Sequence, residues 1–208
     1  MNKKKYALYL ACNAVIAVLE MIGLSLAIAN RRGDTFQFYT QLSNLFLLIT
    51  CLINIFFTTQ VLRGKRKVIP HFANLFSYMS ICTTTVTFIV VLTVLSWMMG
   101  DLWWLLTNGA MLYTHTLCPI FGVVMLSFFA PEKLPKKSAV FALSPTIAYA
   151  IVGIIMNLTH NWVGPYPFLR VYDQSLLATF AWLIGMLGGA YIIARVLLLP
   201  IQADQSRN

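Results

Sequence analysis

Residues 36–62 read FQFYTQLSNLFLLITCLINIFFTTQVL, a run without a single charged side chain. A bilayer core about 30 Å thick needs about 20 apolar residues in a helix, and this stretch is long enough. It also lacks the strict alternation of a membrane β-strand. Five other stretches have the same character, so the sequence predicts an all-α, polytopic membrane protein. We expect one six-helix domain over residues 1–208, with spans at 6–29, 36–62, 72–98, 103–129, 138–158 and 175–199.

The composition excludes most other classes of protein. Hydrophobic residues make up 59% of the chain and charged residues only 10%, whereas a soluble domain has about 25% charged residues. Water-soluble, disordered and small disulfide-stabilised folds are therefore rejected. The net charge of +9 does not predict nucleic-acid binding, because basic residues in a membrane chain usually determine its topology.

The basic residues predict the orientation of the chain. Three of them, Arg31, Arg32 and Arg170, fall on one side of the predicted spans. The other twelve fall on the opposite side, which places both termini in the cytoplasm by the positive-inside rule. These twelve are Lys3, Lys4, Lys5, Arg63, Lys65, Arg66, Lys67, Lys133, Lys136, Lys137, Arg195 and Arg207.

Polar residues inside the spans are the candidates for function, because they are costly in lipid unless they face the bundle interior. At about 100° per residue, the second span carries one polar stripe. On the fourth span Asn108, His115 and Pro119 share a face, and on the first span Glu20 is the only carboxylate inside a predicted span. We expect these faces to converge. The stripe consists of Thr40, Ser43, Asn44, Cys51, Asn54 and Thr58.

The sequence predicts neither a metal site nor a cofactor. His71 and His160 fall at opposite faces of the membrane and His115 falls inside a span, so the three cannot form one compact metal site. The chain contains no Walker A, GxGxxG, HExxH or GxSxG motif. It carries no signal of oligomeric state.

Three segments together resemble a known family. They are Phe38–Asn44 (FYTQLSN), Thr114–Pro119 (THTLCP) and Trp162–Leu169 (WVGPYPFL). Their order on six spans is similar to the androgen-induced / androgen-dependent TFPI-regulating protein family, and the chain looks nearer to the bacterial relatives of that family. The resemblance covers nearly the whole length. It implies an integral protein of the bacterial inner membrane.

The resemblance also implies an activity. Family members of known activity are intramembrane threonine hydrolases that cleave fatty acid esters of hydroxy fatty acids, so the expected partner is a membrane lipid or acyl ester. By resemblance the catalytic threonine is Thr40 and the catalytic histidine is His115. The segment with Tyr166 and Phe168, together with Pro119, then supplies candidate residues of the substrate pocket.

This chemistry suits the residue types. A threonine hydroxyl is a weak nucleophile unless a base takes its proton, and a neutral histidine can act as that base. Asn44, Asn108 and Ser43 are candidates to stabilise the oxyanion or to position the reacting groups, and Glu20 is a candidate third member that orients His115. With straight helices, however, Thr40 is about 6 Å and His115 about 18 Å from the outer end of its span, which disfavours direct contact.

Other functions stay open at the level of the sequence. The polar stripe runs the length of the second span, as in a small transporter or channel, where Glu20 would bind a proton or cation. A non-catalytic lipid-binding protein would use the same polar residues only for packing. An acyltransferase would pass the acyl group from Thr40 to an alcohol instead of water.

Overall fold

A computed structural model describes residues 2–130 and 134–203, and this part of the chain is helical without a strand. Two of the basic residues used for the topology, Lys133 and Arg207, lie outside it. The prediction of six membrane spans is confirmed, so the chain is an integral multi-pass membrane protein. The helices long and apolar enough to cross a bilayer are Lys3–Asn30, Tyr39–Leu62, His71–Met99, Leu112–Phe129, Ser138–Leu158 and Leu176–Gln202.

Several spans are built from more than one helical segment. π-helical turns occupy Val91–Leu95 and Leu112–Leu117, and short 3₁₀ segments cover Arg32–Gln37 and Pro167–Leu169. The α-helices are α1 (Lys3–Arg31), α2 (Tyr39–Leu62), α3 (His71–Val90), α4 (Ser96–Met99), α5 (Leu102–Thr107), α6 (Cys118–Phe129), α7 (Ser138–Phe141), α8 (Ser144–Leu158) and α9 (Leu176–Ala203).

The core of the bundle lies between α1, α2, α3 and α6. Helices α1 and α2 pack against each other most extensively, and α9 covers α3 and α6 from the side. Helix α8 makes only limited contacts with α3, α9 and the 3₁₀ segment Pro167–Leu169. Helix α8 is therefore packed less extensively against the bundle than α1, α2 and α3 are.

The polar stripe of α2 is buried along its whole length, as the sequence analysis expected. Two pairs of hydroxyl groups join helix α2 to helix α3. Ser43 Oγ lies 3.2 Å from Thr87 Oγ1, and Thr50 Oγ1 lies 2.8 Å from Ser80 Oγ. Such pairs hold helices together where lipid offers no hydrogen bonds.

The predicted fourth span, 103–129, is wrong at its start. Helix α5 ends at Thr107, Asn108 is extended (φ −82°, ψ 116°), and Gly109 takes the left-handed φ of +50°. The helix that is long enough to span the membrane begins only at Leu112. His115 therefore lies in the first turn of its span, as Thr40 does in α2, and the predicted difference in depth falls to about 3 Å at 1.5 Å per residue.

Two glycine-containing parts of the bundle differ in how closely they pack. Gly185 and Gly189 form a GxxxG pattern that predicts close helix packing, but a Cβ added at either would meet no atom within 4 Å in the described chain. Gly23 makes the close approach instead. A Cβ there would lie 2.7 Å from Tyr113 Cβ and 3.1 Å from Thr114 Cγ2, so α1 can touch the π-helical turn only through a glycine.

We expect Gly23→Ala to lower the free energy of unfolding by about 1–3 kcal/mol, because overpacking of a close contact forces backbone shifts. Thermal unfolding in detergent, followed by tryptophan fluorescence, measures the effect. Gly185→Ala is the matched control and should leave stability nearly unchanged. Equal behaviour of the two variants would contradict the close approach of α1 to Tyr113.

Candidate active site

Thr40 lies in the first turn of α2, and its side chain is 5% exposed. A buried threonine in a helix usually donates its hydroxyl to a carbonyl one turn back, as Thr59 does to Ile55 at 2.7 Å. Thr40 has no such bond within the described chain, since the helix begins only one residue earlier. Its Oγ1 lies 3.5 Å from the Tyr166 hydroxyl. Within the described chain, the Thr40 hydroxyl therefore makes no hydrogen bond to a backbone carbonyl.

His115 is held by the break in the fourth span. Its Nδ1 lies 2.7 Å from the backbone oxygen of Leu105, and Thr116 Oγ1 donates to the oxygen of Leu106 at 2.8 Å. These carbonyls end helix α5 and would otherwise lack helical partners. Because a carbonyl oxygen only accepts, Nδ1 carries the proton, and Nε2 is the basic nitrogen of the neutral ring.

Thr40 and His115 line the same cavity, which has a volume of about 560 Å³. Asn108, Gln41 and Tyr166 also line it. Among the described residues no hydrogen bond joins Thr40 directly to His115, and the cavity gives the two side chains a common space. Catalytic hydrogen bonds are often long in a substrate-free enzyme and tighten on binding.

A second, narrow cavity shares the lining residue Thr40 with the first one. It is apolar, measures about 50 Å³, and lies between α2, α3, α8 and α9. Thr40, Leu95 and Tyr166 line both cavities, and Phe168 lines only the apolar one. The ring of Phe168 stacks on the ring of Tyr166 with centroids 5.1 Å apart. Thr40 thus lies on the shared wall of an apolar cavity and of a larger cavity that also contains the polar side chains of His115 and Asn108.

Two predicted oxyanion candidates are wrong. Asn44 is buried, and its Nδ2 donates to the backbone oxygens of Thr40 (2.7 Å) and Thr114 (3.1 Å), so neither N–H is available to a substrate. Ser43 donates to the oxygen of Thr40 at 2.9 Å and lines a separate groove of about 450 Å³. Both residues position the backbone around Thr40. Asn108 does line the cavity, with an exposed side chain.

Glu20 and Pro119 do not belong to this cavity. The backbone oxygen of Leu105 occupies the place at His115 Nδ1 that a third triad member would take, so the predicted orienting role of Glu20 is wrong. Pro119 is buried but does not line the cavity, which corrects its prediction as a pocket residue. Tyr166 and Phe168 do line the two compartments.

Glu20 lies instead in the core, beside the thiols of Cys51 and Cys118. Its side chain is fully buried, and the Cys118 thiol is the neighbouring group that interacts with its carboxyl group. The amide oxygens of Asn13, Asn44 and Asn54 are buried and have no hydrogen-bond partner among the described residues. The transporter, lipid-binding and acyltransferase alternatives stay predictions.

Gln41 lines the cavity and was not among the site residues predicted from the sequence. This residue follows Thr40 directly in the segment FYTQLSN, and its side chain is 7% exposed and lines the cavity. A glutamine beside the nucleophile is a weak signal in sequence, because a helical side chain next to a polar stripe commonly faces a neighbouring helix. Its position in the cavity follows from the start of α2 at Tyr39.

Across residues 2–130 and 134–203, no three histidine, cysteine, aspartate or glutamate side chains lie together as a metal site requires. No family model, curated protein or solved structure matches this chain. Membership of the androgen-induced protein family therefore stays a prediction.

Proposed function

We propose that this protein is an intramembrane lipid-ester hydrolase in which Thr40 is the nucleophile and His115 is the general base. The observation that carries the proposal is the Thr40 hydroxyl, which is free of the backbone and faces the cavity that His115 also lines. Acyl lipids, including fatty acid esters of hydroxy fatty acids, are the proposed substrates. The resemblance noted in the sequence supports this choice.

The reaction uses two displacements. His115 Nε2 takes the proton of Thr40 Oγ1 as this oxygen attacks the ester carbonyl carbon. The tetrahedral intermediate collapses, the bond to the alcohol oxygen breaks, and His115 returns its proton to the leaving alcohol. Water then gives a proton to Nε2 and attacks the acyl-threonine. Collapse of the second intermediate releases the fatty acid and restores the proton on Thr40.

The two compartments suit an amphipathic ester. The apolar cavity between α2, α3, α8 and α9 receives part of the acyl chain next to the carbonyl, and the larger cavity with His115 and Asn108 holds the leaving alcohol and the attacking water. The limited packing of α8 supports lateral access from the bilayer. By the positive-inside rule, we place the site at the outer side of a bacterial inner membrane.

Covalent labelling by a fluorophosphonate tests the proposal. We expect a wild-type adduct on Thr40, mapped by mass spectrometry, because only an activated hydroxyl reacts with this probe. Thr40→Val should abolish the adduct. Thr59→Val is the matched control at the other end of α2, and it should be labelled like the wild type. An adduct on another residue, or none on folded wild-type protein, would overturn the proposal.

A further inference from the structure

An ester hydrolase with a threonine nucleophile needs a donor for the oxyanion of its tetrahedral intermediate. Of the three donors that the sequence suggested, the structure leaves Asn108 at the rim of the cavity and engages Asn44 and Ser43 with the backbone. Both N–H groups of Asn44 are bonded to backbone oxygens, and the Ser43 hydroxyl donates to the oxygen of Thr40. The Tyr166 hydroxyl already pairs with Thr40 Oγ1.

Gln41 supplies a donor in the right place. It lies in the first turn of α2 next to Thr40, and both side chains line the cavity that contains His115. The Gln41 Oε1 atom is fully enclosed and has no hydrogen-bond partner among the described residues. Nε2 is not an enclosed, unpartnered atom of this kind, and because Gln41 lines the cavity we infer that Nε2 is the end of the amide that faces it.

An unpartnered amide is costly inside a membrane protein. Burial of a polar group without a hydrogen bond is unfavourable by about 1–3 kcal/mol, and an apolar side chain of the same length would avoid this cost. The other buried amides of α2 are held by the backbone, because Asn44 and Asn54 each donate to two carbonyls. Gln41 makes no such bond to any residue in the described part of the chain, so its amide is available to bind a substrate atom.

We propose that Gln41 is a catalytic residue whose Nε2–H group donates a hydrogen bond to the oxyanion formed when Thr40 attacks the ester. This inference rests on the proposed hydrolase function. It assigns a role to a side chain that the motif analysis left aside. An N–H group bonds more strongly to the negative oxyanion than to the carbonyl oxygen of the uncharged ester, so it stabilises the intermediate more than the bound substrate.

The test compares Gln41→Met and Gln41→Glu with the wild type in the hydrolysis of a 4-nitrophenyl acyl ester. Loss of one oxyanion donor typically lowers kcat by about 10²–10³-fold, and we expect this loss with KM changed by less than about threefold. Gln60→Glu, near the opposite end of α2, is the matched control and should keep wild-type kcat. Gln41→Met should fold at least as stably as the wild type, because it removes an unpartnered amide.

A second probe separates a catalytic role from a structural one. Alkylation of His115 by iodoacetamide is a displacement at a saturated carbon and forms no oxyanion, so its rate should be unchanged in Gln41→Met. Labelling of Thr40 by fluorophosphonate should slow in parallel with kcat. Wild-type kcat in both Gln41 variants, or equal slowing of both labelling reactions, would overturn the role of Gln41 alone. Inactive, unlabelled wild-type protein would overturn the hydrolase function and this inference together.

Discussion

Replacement of Thr40 by alanine is expected to lower kcat/KM for ester hydrolysis by at least about 10³-fold, because no acyl-enzyme can form without the nucleophile. Thr40→Ser should retain a measurable part of the activity, since it keeps a hydroxyl at the same place. Both variants are to be assayed as purified protein in detergent and in proteoliposomes, with 4-nitrophenyl acyl esters as substrates.

The structure makes this substitution informative about chemistry. Among the described residues, the Thr40 hydroxyl donates to no backbone carbonyl, and its contact with the Tyr166 hydroxyl is long at 3.5 Å. We therefore expect Thr40→Ala to change the free energy of unfolding by less than about 1 kcal/mol. Thr59→Ala removes a hydroxyl that is bonded to Ile55 and should leave kcat/KM unchanged. Full hydrolysis by Thr40→Ala would contradict the assignment of the nucleophile.

The second large effect is expected from His115→Asn. General acid–base catalysis by a positioned side chain typically contributes about 10²–10⁴-fold, and the asparagine has no basic nitrogen to take a proton. Its amide N–H can replace Nδ1–H and donate to the backbone oxygen of Leu105, which His115 contacts at 2.7 Å. We therefore expect kcat to fall by this factor in a protein that unfolds like the wild type.

His71→Asn is the control for this experiment, because His71 begins α3 at the other end of the bundle and is exposed. It should have wild-type kcat. A His115→Asn enzyme with normal kcat would show that another group takes the proton of Thr40, and the Tyr166 hydroxyl would be the next candidate. A large loss of stability in His115→Asn would show that the ring contributes more to the fold than its bond to Leu105.

Part of the cavity lining could be predicted from the sequence. Asn108 and the polar faces came from helix periodicity, the roles of Thr40, His115 and Tyr166 came from the family resemblance, and all four residues line one cavity. The roles of their neighbours were predicted less well. Asn44 and Gln41 are both amides in the first turns of α2, and a sequence does not show which of them meets backbone carbonyls and which meets open space. That difference depends on where Thr114 lies beside α2.

The start of the fourth span was also not predictable from the sequence pattern. Residues 103–129 are apolar enough to read as one helix, yet the chain breaks at Asn108 and Gly109. An Asn-Gly pair favours a turn. Hydrophobicity alone, however, does not show whether the chain turns there or continues as a longer helix. The break places His115 in the first turn of its span, as Thr40 is in α2. It also supplies the carbonyl of Leu105 that orients the His115 ring.

The sequence by itself determined the six spans and the buried face of α2, because membrane insertion depends on the length and polarity of each segment taken separately. The positions of the π-helical turn, the two cavities and the bonded or free state of each amide were decided only by the tertiary structure. These features depend on which backbone groups of one helix face the side chains of another, and that pairing arises when the helices pack.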